Sequence, residues 1–288
     1  MTAIPTVAAF FDSATHTVSY IVSDPVSLRA AIIDPVLDFT PHNGRTAKRS
    51  ADLLLAHLAE DELDLAWILE THAHADHLSA AHYLNERTGA PVVIGANIVA
   101  VQDTFARLFE AEDVVPDGSQ FDRLVSEGDR LPLGELEVLV LNTPGHTPAC
   151  VSYLIGDAAF VGDTLFMPDY GTARCDFPGG SAATLYGSIH KLLALPPETR
   201  IFVGHDYLPA GRSTFTWEST VAEQRRTNIH IHDGIGEADF VTMRQARDAT
   251  LEAPQLILPS LQVNIRAGQL PPPSEGGHRY LKLPLDAI

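Results

Sequence analysis

The chain has 288 residues, enough for a sizeable core in one large domain or two, and its 45% hydrophobic content is ordinary for a globular protein. Its 19 basic and 37 acidic residues, a net charge of −18, argue against nucleic acid and anionic membranes as partners and are most simply read as solubility. No apolar run approaches the ~18 residues needed to cross a bilayer, the first basic residue is Arg29, and Cys150 and Cys175 make no disulfide framework, so the expectation is a cytoplasmic protein without a targeting segment.

Val7 to Phe11, Thr17 to Val22 and Ala30 to Ile33 read as strands, with turns at Asp12-Ser13 and Asp34-Pro35. Thr46 to Leu58 carries Leu54, Leu55 and Leu58 among polar residues and reads as an exposed amphipathic helix. Leu65 to Leu69 is a short apolar run, a buried strand. Leu78 to Arg87 has apolar residues at helical spacing and is closed by Gly89. Asn97 to Asp129 reads as an extra helix and loop, whose role is local packing, shielding of a site or an oligomer contact. Leu136 to Leu141, Ala158 to Val161 and Ile201 to Val203 are further strands. Beyond them lie candidate helices at Thr216 to Asn228 and Glu237 to Leu251, then an extended tail from Pro271 to Pro284. Residues 1–205 are expected to form the core, with 206–288 a helical and extended part packed on it.

The chemistry concentrates where strands stop. Thr71-His-Ala-His-Ala-Asp-His77 sits between a strand and a helix, the turn where ligands gather in open α/β folds. A helix would scatter His72, His74, Asp76 and His77 around its axis, and a strand would put His77 opposite His72 and His74. A loop can turn all four inward onto one or two ions, and imidazole with carboxylate suits zinc and ferrous iron. With thirteen histidines in the chain, such a cluster should arise by chance in on the order of one chain in several hundred. Three later strand ends repeat the pattern: Asn142-Thr-Pro-Gly-His146, Gly162-Asp163-Thr164 and Gly204-His205-Asp206. Singly these are ordinary turns. Four in order indicate a metal site.

This set, His72-x-His74-x-Asp76-His77, His146, Asp163 and His205, resembles the metallo-β-lactamase superfamily. The resemblance implies an α/β fold, an αββα sandwich of two β-sheets face to face with helices outside. Gly171-Thr-Ala-Arg174-Cys-Asp176-Phe177 is similar to a segment of the persulfide dioxygenase branch, related to glyoxalase II. Ala182 to Tyr186, Gly204 to Tyr207 and Val263 to Gly268 are similar to it as well. Cys175 stands where Thr is commoner there, and the stretch from His77 to His146 is longer than in compact members.

That likeness implies one Fe(II) per chain held by His72, His146 and Asp163, with His74, Asp76, His77 and His205 hydrogen-bonding around it. Asp76, His77 and His205 would take catalytic roles. Arg174 would clamp a substrate carboxylate or pair with Asp176; Tyr207 and Arg266 are weaker substrate-side candidates. The implied reaction converts glutathione persulfide, O2 and water to sulfite and glutathione. The rival is a thioester hydrolase of the glyoxalase II kind, holding one or two Zn(II). In the dinuclear form His72, His74 and His146 bind one ion, Asp76, His77 and His205 the other, and Asp163 bridges. A non-enzymatic, sulfide-responsive binding protein is a third reading, disfavoured by the intact ligand set. The oligomeric state, a homo-oligomer included, stays open. His230-Ile-His232 has no third partner nearby in sequence and reads as a polar loop, and Cys175 as a buried inert thiol.

Overall fold

Alternation along the strands decides the layering. In the computed structural model, which describes residues 4–287, β1 (Thr6–Asp12), β2 (Thr17–Ser23) and β3 (Arg29–Ile33) form an antiparallel meander. After β4 (Val36–Thr40), β5 (Arg45–Ala47) and α1 (Arg49–Glu60), the chain returns as β6 (Asp64–Leu69), parallel to β3. β7 (Leu78–Ser79), α2 (Ala81–Thr88), β8 (Val92–Gly95), α3 (Ile98–Leu108) and β9 (Arg123–Val125) follow. They complete a six-stranded sheet of order β1-β2-β3-β6-β8-β9 and a small sheet β5-β4-β7.

The second six-stranded sheet runs in chain order through β10 (Arg130–Leu133), β11 (Leu136–Asn142), β12 (Val151–Ile155), β13 (Ala158–Phe160), β14 (Arg200–Phe202) and β15 (Glu218–Thr220). α4 (Ala182–Leu193) links β13 to its parallel neighbour β14. The chain closes with α5 (Val221–Thr227), α6 (Glu237–Asp248) and α7 (Ile257–Asn264).

Side chains one residue apart on a strand point to opposite faces. Val18, Tyr20 and Val22 of β2 accordingly meet Val138, Val140, Tyr153 and Phe160 between the sheets. Ile21, with Ile32 and Ile68, packs outward under Leu54 of α1, Leu84 of α2, Phe105 of α3 and Leu261 of α7. Behind the second sheet, Ala159 and Ile201 meet Leu185 and Ile189 of α4, Val221 of α5 and Phe240 of α6. Four layers result, helix, sheet, sheet, helix, as the resemblance implied. No helix among the described residues is long and apolar enough to cross a membrane.

Several boundaries differ from the sequence reading. Thr46 is paired with Phe39 in a strand, so the helix expected from Thr46 begins at Arg49, where the Asp38 carboxylate accepts from the Ser50 N–H at 3.1 Å. Leu78-Ser79 pairs with Val36-Leu37, and the helix expected from Leu78 starts at Ala81. The helix expected over Thr216 to Asn228 divides into β15 and α5, with the Thr220 hydroxyl capping α5 by accepting from the Glu223 N–H. The 97–129 segment packs locally: Val101, Phe105 and Phe109 enter the core, and no residue from it lines the cavity described below.

Candidate metal centre

Strand register places the ligands before any of them is considered. Ile33 is aligned with Leu69 in the parallel pair β3–β6, so the next residues, Asp34 and Glu70, emerge side by side. Phe160 is aligned with Phe202 in β13–β14, so Asp163 and His205, each three residues on, also emerge together. Their atoms Oδ1 and Nε2 lie 3.2 Å apart. The turns need their glycines. Gly162 has φ +49 and a Cβ there would stand 2.5 Å from the Thr71 hydroxyl, while a Cβ on Gly204 would come within 2.9 Å of Asp163 Oδ1.

Three groups of metal-type side chains result, two of which meet at Asp163 and His205, while Asp34 and Glu70 form the third with His74. In the first, single ligand atoms of His72, His146 and Asp163 all lie within 4.8 Å of one another, and all three residues are buried. His72 Nε2 and His146 Nε2 stand 4.0 and 3.7 Å from Asp163 Oδ2. In the second, His74, Asp76, His77 and His205 converge within the same limit. His205 Nε2 is 3.2 Å from Asp76 Oδ2 and 3.2 Å from Asp163 Oδ1, so Asp163 faces both groups.

The second nitrogen of each imidazole fixes which one faces inward. His146 Nδ1 is 2.8 Å from the Arg174 carbonyl, which can only accept, so Nδ1 carries the hydrogen and Nε2 presents a lone pair. His205 Nδ1 faces the His16 carbonyl at 3.3 Å in the same way. His72 Nδ1 lies 3.0 Å from the Thr71 hydroxyl. His74 is turned about: Nε2 lies 3.0 Å from Asp34 Oδ1 and 3.2 Å from Glu70 Oε2, which leaves Nδ1 for the centre. Asp34 is itself held by the Thr71 N–H and hydroxyl, both at 2.7 Å, and Glu70 by the Ser79 hydroxyl. Asn264 of α7 donates to the carbonyls of His74 and His77, each at 2.8 Å, and accepts from the Ser79 N–H at 2.8 Å, clamping the ligand loop from outside.

These residues fit a metal. His72 Nε2, His74 Nδ1, Asp76 Oδ2, His77 Nε2, Asp163 Oδ1 and His205 Nε2 are buried polar atoms without a hydrogen-bond partner. Six such atoms within two adjoining groups would be costly, on the order of 1–3 kcal/mol each, unless cations satisfy them. The electrostatics agree. Burial alone would raise the Asp163 carboxyl, but His205 above all, with His72 and His146, holds it well below the usual range. Burial alone would lower His205, yet Asp163 and Asp76 push it up to about 9. Burial and the neighbouring His74 hold His72 well below its ordinary value, as a neutral ligand needs. A divalent ion between these carboxylates and imidazoles would take over the charge balance that a proton on His205 otherwise provides.

A cavity of about 310 Å³ is lined by His146 and Asp163 of the first group and Asp76 of the second. Phe166, Tyr170 and Tyr207 form an aromatic wall, with ring centroids of Tyr170 and Tyr207 5.0 Å apart and Tyr207 stacked on His205 at 5.5 Å. Burial, then Asp76 and Asp163, keep the Tyr207 phenol well above its ordinary pKa and therefore protonated. Arg174 lines the cavity, but its Nε and one terminal nitrogen bond both Asp176 oxygens at 2.6 and 2.5 Å, and its other terminal nitrogen bonds the Glu252 carbonyl at 2.6 Å. Arg266 is not brought to this cavity: its guanidinium forks onto Asp113 at 2.7 and 2.6 Å, beside a different cleft. Its expected place beside the substrate gives way to a structural one, tying α7 to the segment after α3. His230 is a buried packing residue, its Nδ1 accepting from the Thr172 N–H at 3.0 Å.

Sequence reasoning missed Asp34, Glu70, Asn264 and Arg247. Asp34 and Glu70 do follow strands directly, the one signal that could have found them. Asn264 lies between two apolar residues, and the likeness over Val263 to Gly268 marked its segment without giving it a role.

A four-layer fold with this ligand set at its strand ends defines a metal-dependent enzyme of one superfamily. The chain belongs to the metallo-beta-lactamase superfamily, whose profile matches residues 29–205. It is 55% identical to a protein of Burkholderia pseudomallei (strain 1710b) called a probable metallo-hydrolase, over 98% of this chain and 100% of that one. It is 52% identical to Glyoxylase B2 of Dictyostelium discoideum over 93% and 92% of the two chains. Identity to the mitochondrial persulfide dioxygenase ETHE1 of Mus musculus is 33%, over 92% and 89%. The crystal structure of ETHE1 from Myxococcus xanthus superposes with a TM-score of 0.74 at 33% identity, covering 92% of this chain and 100% of that one. Of some other relatives the chain spans about two thirds, 65–66% of their length.

Proposed function

We propose that this protein is a mononuclear iron persulfide dioxygenase, acting on glutathione persulfide with O2 and water to give sulfite and glutathione. The observation that carries the reading is the convergence of His72, His146 and Asp163, two imidazoles and one carboxylate, with His146 and Asp163 lining the aromatic cavity. Such a triad leaves up to three positions of an octahedral metal free. Fe(II) held there supplies the redox chemistry through which a persulfide sulfur and O2 can react. The protein does the rest. The Arg174 carbonyl orients His146. Phe166, Tyr170 and Tyr207 exclude bulk water from the reacting sulfur. Asp76 is held ionised against its burial by His205 and His77, so it serves as a hydrogen-bond acceptor beside the substrate and not as a strong base. His77 and His205 fix Asp76 and Asp163 in place. A reducing cytoplasm suits the free, buried thiols of Cys150 and Cys175.

One observation favours a second reading. His74, Asp76, His77 and His205 form a group that could hold a second ion with Asp163 between the two, the arrangement of a dinuclear zinc thioester hydrolase. Protein prepared without oxygen separates them. About one iron per chain, with O2 uptake and sulfite release on glutathione persulfide, is expected. Two zinc ions per chain, hydrolysis of S-lactoylglutathione and no O2 uptake would establish the hydrolase instead.

A further inference from the structure

Three arginines, Arg174, Arg244 and Arg247, line the cavity, in a chain whose overall charge is −18. They are not equivalent. Arg174 is forked onto Asp176, and Arg244, 1% exposed, bonds Asp248 at 2.9 and 2.6 Å and the Thr172 carbonyl at 3.0 Å. Each of these charges is neutralised by a carboxylate from its own segment. Arg247 stands three residues along α6 from Arg244, on the same face but exposed, and lines the cavity together with Leu251 and Pro254. Among the described residues no carboxylate lies within 4 Å of it and its side chain makes no hydrogen bond. Of the three arginines that line the cavity it is the uncompensated one.

We propose that Arg247 is a specificity-determining residue that selects carboxylate-bearing thiol substrates, gripping a terminal carboxylate of the glutathione portion while the sulfur lies over the metal group. This rests on the glutathione substrate named above. A free guanidinium offers a planar fork that meets a carboxylate bidentately. A single such cation matches a monoanion, whereas a phosphate dianion would keep an unpaired charge against an apolar wall. The cavity volume falls in the range of small-molecule sites. Arg174 and Arg244, already paired, hold the wall that Arg247 stands on.

The test is calorimetric binding of reduced glutathione, and of glutathione esterified at its glycine carboxylate, to the metal-loaded full chain. Wild type should bind glutathione at least about tenfold more tightly than the ester. Arg247→Gln should lose that preference, weakening glutathione by about 10- to 100-fold and the ester little, and Arg247→Lys should fall between. The Michaelis constant for glutathione persulfide should rise with the dissociation constant. Equal binding of acid and ester by wild type overturns the inference, as does an Arg247→Gln protein that retains the preference, or a wild type that binds neither. Should Arg247→Gln not fold, Arg247→Lys carries the comparison, and undiminished preference there refutes the bidentate grip. Absence of O2 uptake, with the carboxylate preference intact and lost in Arg247→Gln, would sink the dioxygenase reading and leave Arg247 standing.

Discussion

Asp163 belongs to the first group of ligands, supplies its only negative charge, and also faces His205 of the second. Removing it as Asp163→Ala should abolish iron binding. His205→Ala should keep most of the iron and lower turnover about 10- to 100-fold, because in the mononuclear reading His205 acts on Asp163 and Asp76 and not on the ion. Metal analysis beside turnover decides: equal metal loss in both variants would move His205 among the ligands. Arg174 has become chiefly a wall residue, tying the 174–176 turn to Glu252. Arg174→Lys cannot reproduce that fork and should cost about 1–2 kcal/mol, read as a fall in melting temperature of several degrees, with iron content unchanged. An unchanged melting temperature with a raised Michaelis constant would return Arg174 to the substrate. The metal-type residues were legible because each follows an apolar strand at a Gly turn or lies in one seven-residue run. Asp34 and Arg247 were not: one needs the β3–β6 register, the other needs to be known as the unpaired member of three arginines.

Elements with a clean period were read well. β1, β2, β3, β6 and β11 lie within a residue or so of their expected spans, since two-residue alternation or a short apolar run leaves little choice. Helix starts were read too early, at Thr46, Leu78 and Thr216, because strand pairing outcompetes helix propensity there, within the β4–β5 hairpin for Thr46 and with strands further off, invisible locally, for the other two. α4, α7, β8, β10 and β12 went unassigned, although Ala182, Leu185, Ile189 and Leu192 do keep a helical period. After α5, His230 fits its ring against Gly171, where a Cβ would come within 2.1 Å of Nδ1. Burial, with Arg244 and Arg247 adding to it, pushes its pKa down to about 4. An unfolded histidine titrates near 6.5. The unfolded chain therefore takes up a proton that the folded one refuses between those values, so this contribution to stability is whole above about 6.5 and is lost as pH falls toward about 4. His230→Gln keeps an acceptor for the Thr172 N–H and does not titrate. The melting-temperature gap between wild type and His230→Gln should narrow across that window; a constant gap would clear His230 of the effect.

At the scale of the whole molecule, the ligand motifs stop at His205 but the core does not. Val221, Phe240, Leu261 and Val263 are all 0% exposed, and β15 extends the second sheet. Each such side chain contributes roughly 1.5–3 kcal/mol on burial, against a total stability of about 5–15 kcal/mol for a typical domain. A chain ending at residue 205 should therefore show no cooperative thermal transition by circular dichroism. A cooperative one would establish residues 1–205 as an independent domain. The layer order was legible only through the family likeness, because two-residue alternation tells which residues are buried and not which sheet they face.

Asn264 sets an order of events. It closes the His74–Ser79 loop from 185 to 190 positions further along the chain. A nascent chain that has reached His205 already carries every metal-type residue, yet the loop that presents His74, Asp76 and His77 lacks this clamp until Asn264, 59 positions further on, has been made. An ion met before then would find a flexible set of imidazoles, whose preference follows general affinity and favours zinc over iron. The site gains a fixed geometry, and with it any power to choose, only once Asn264 has been made.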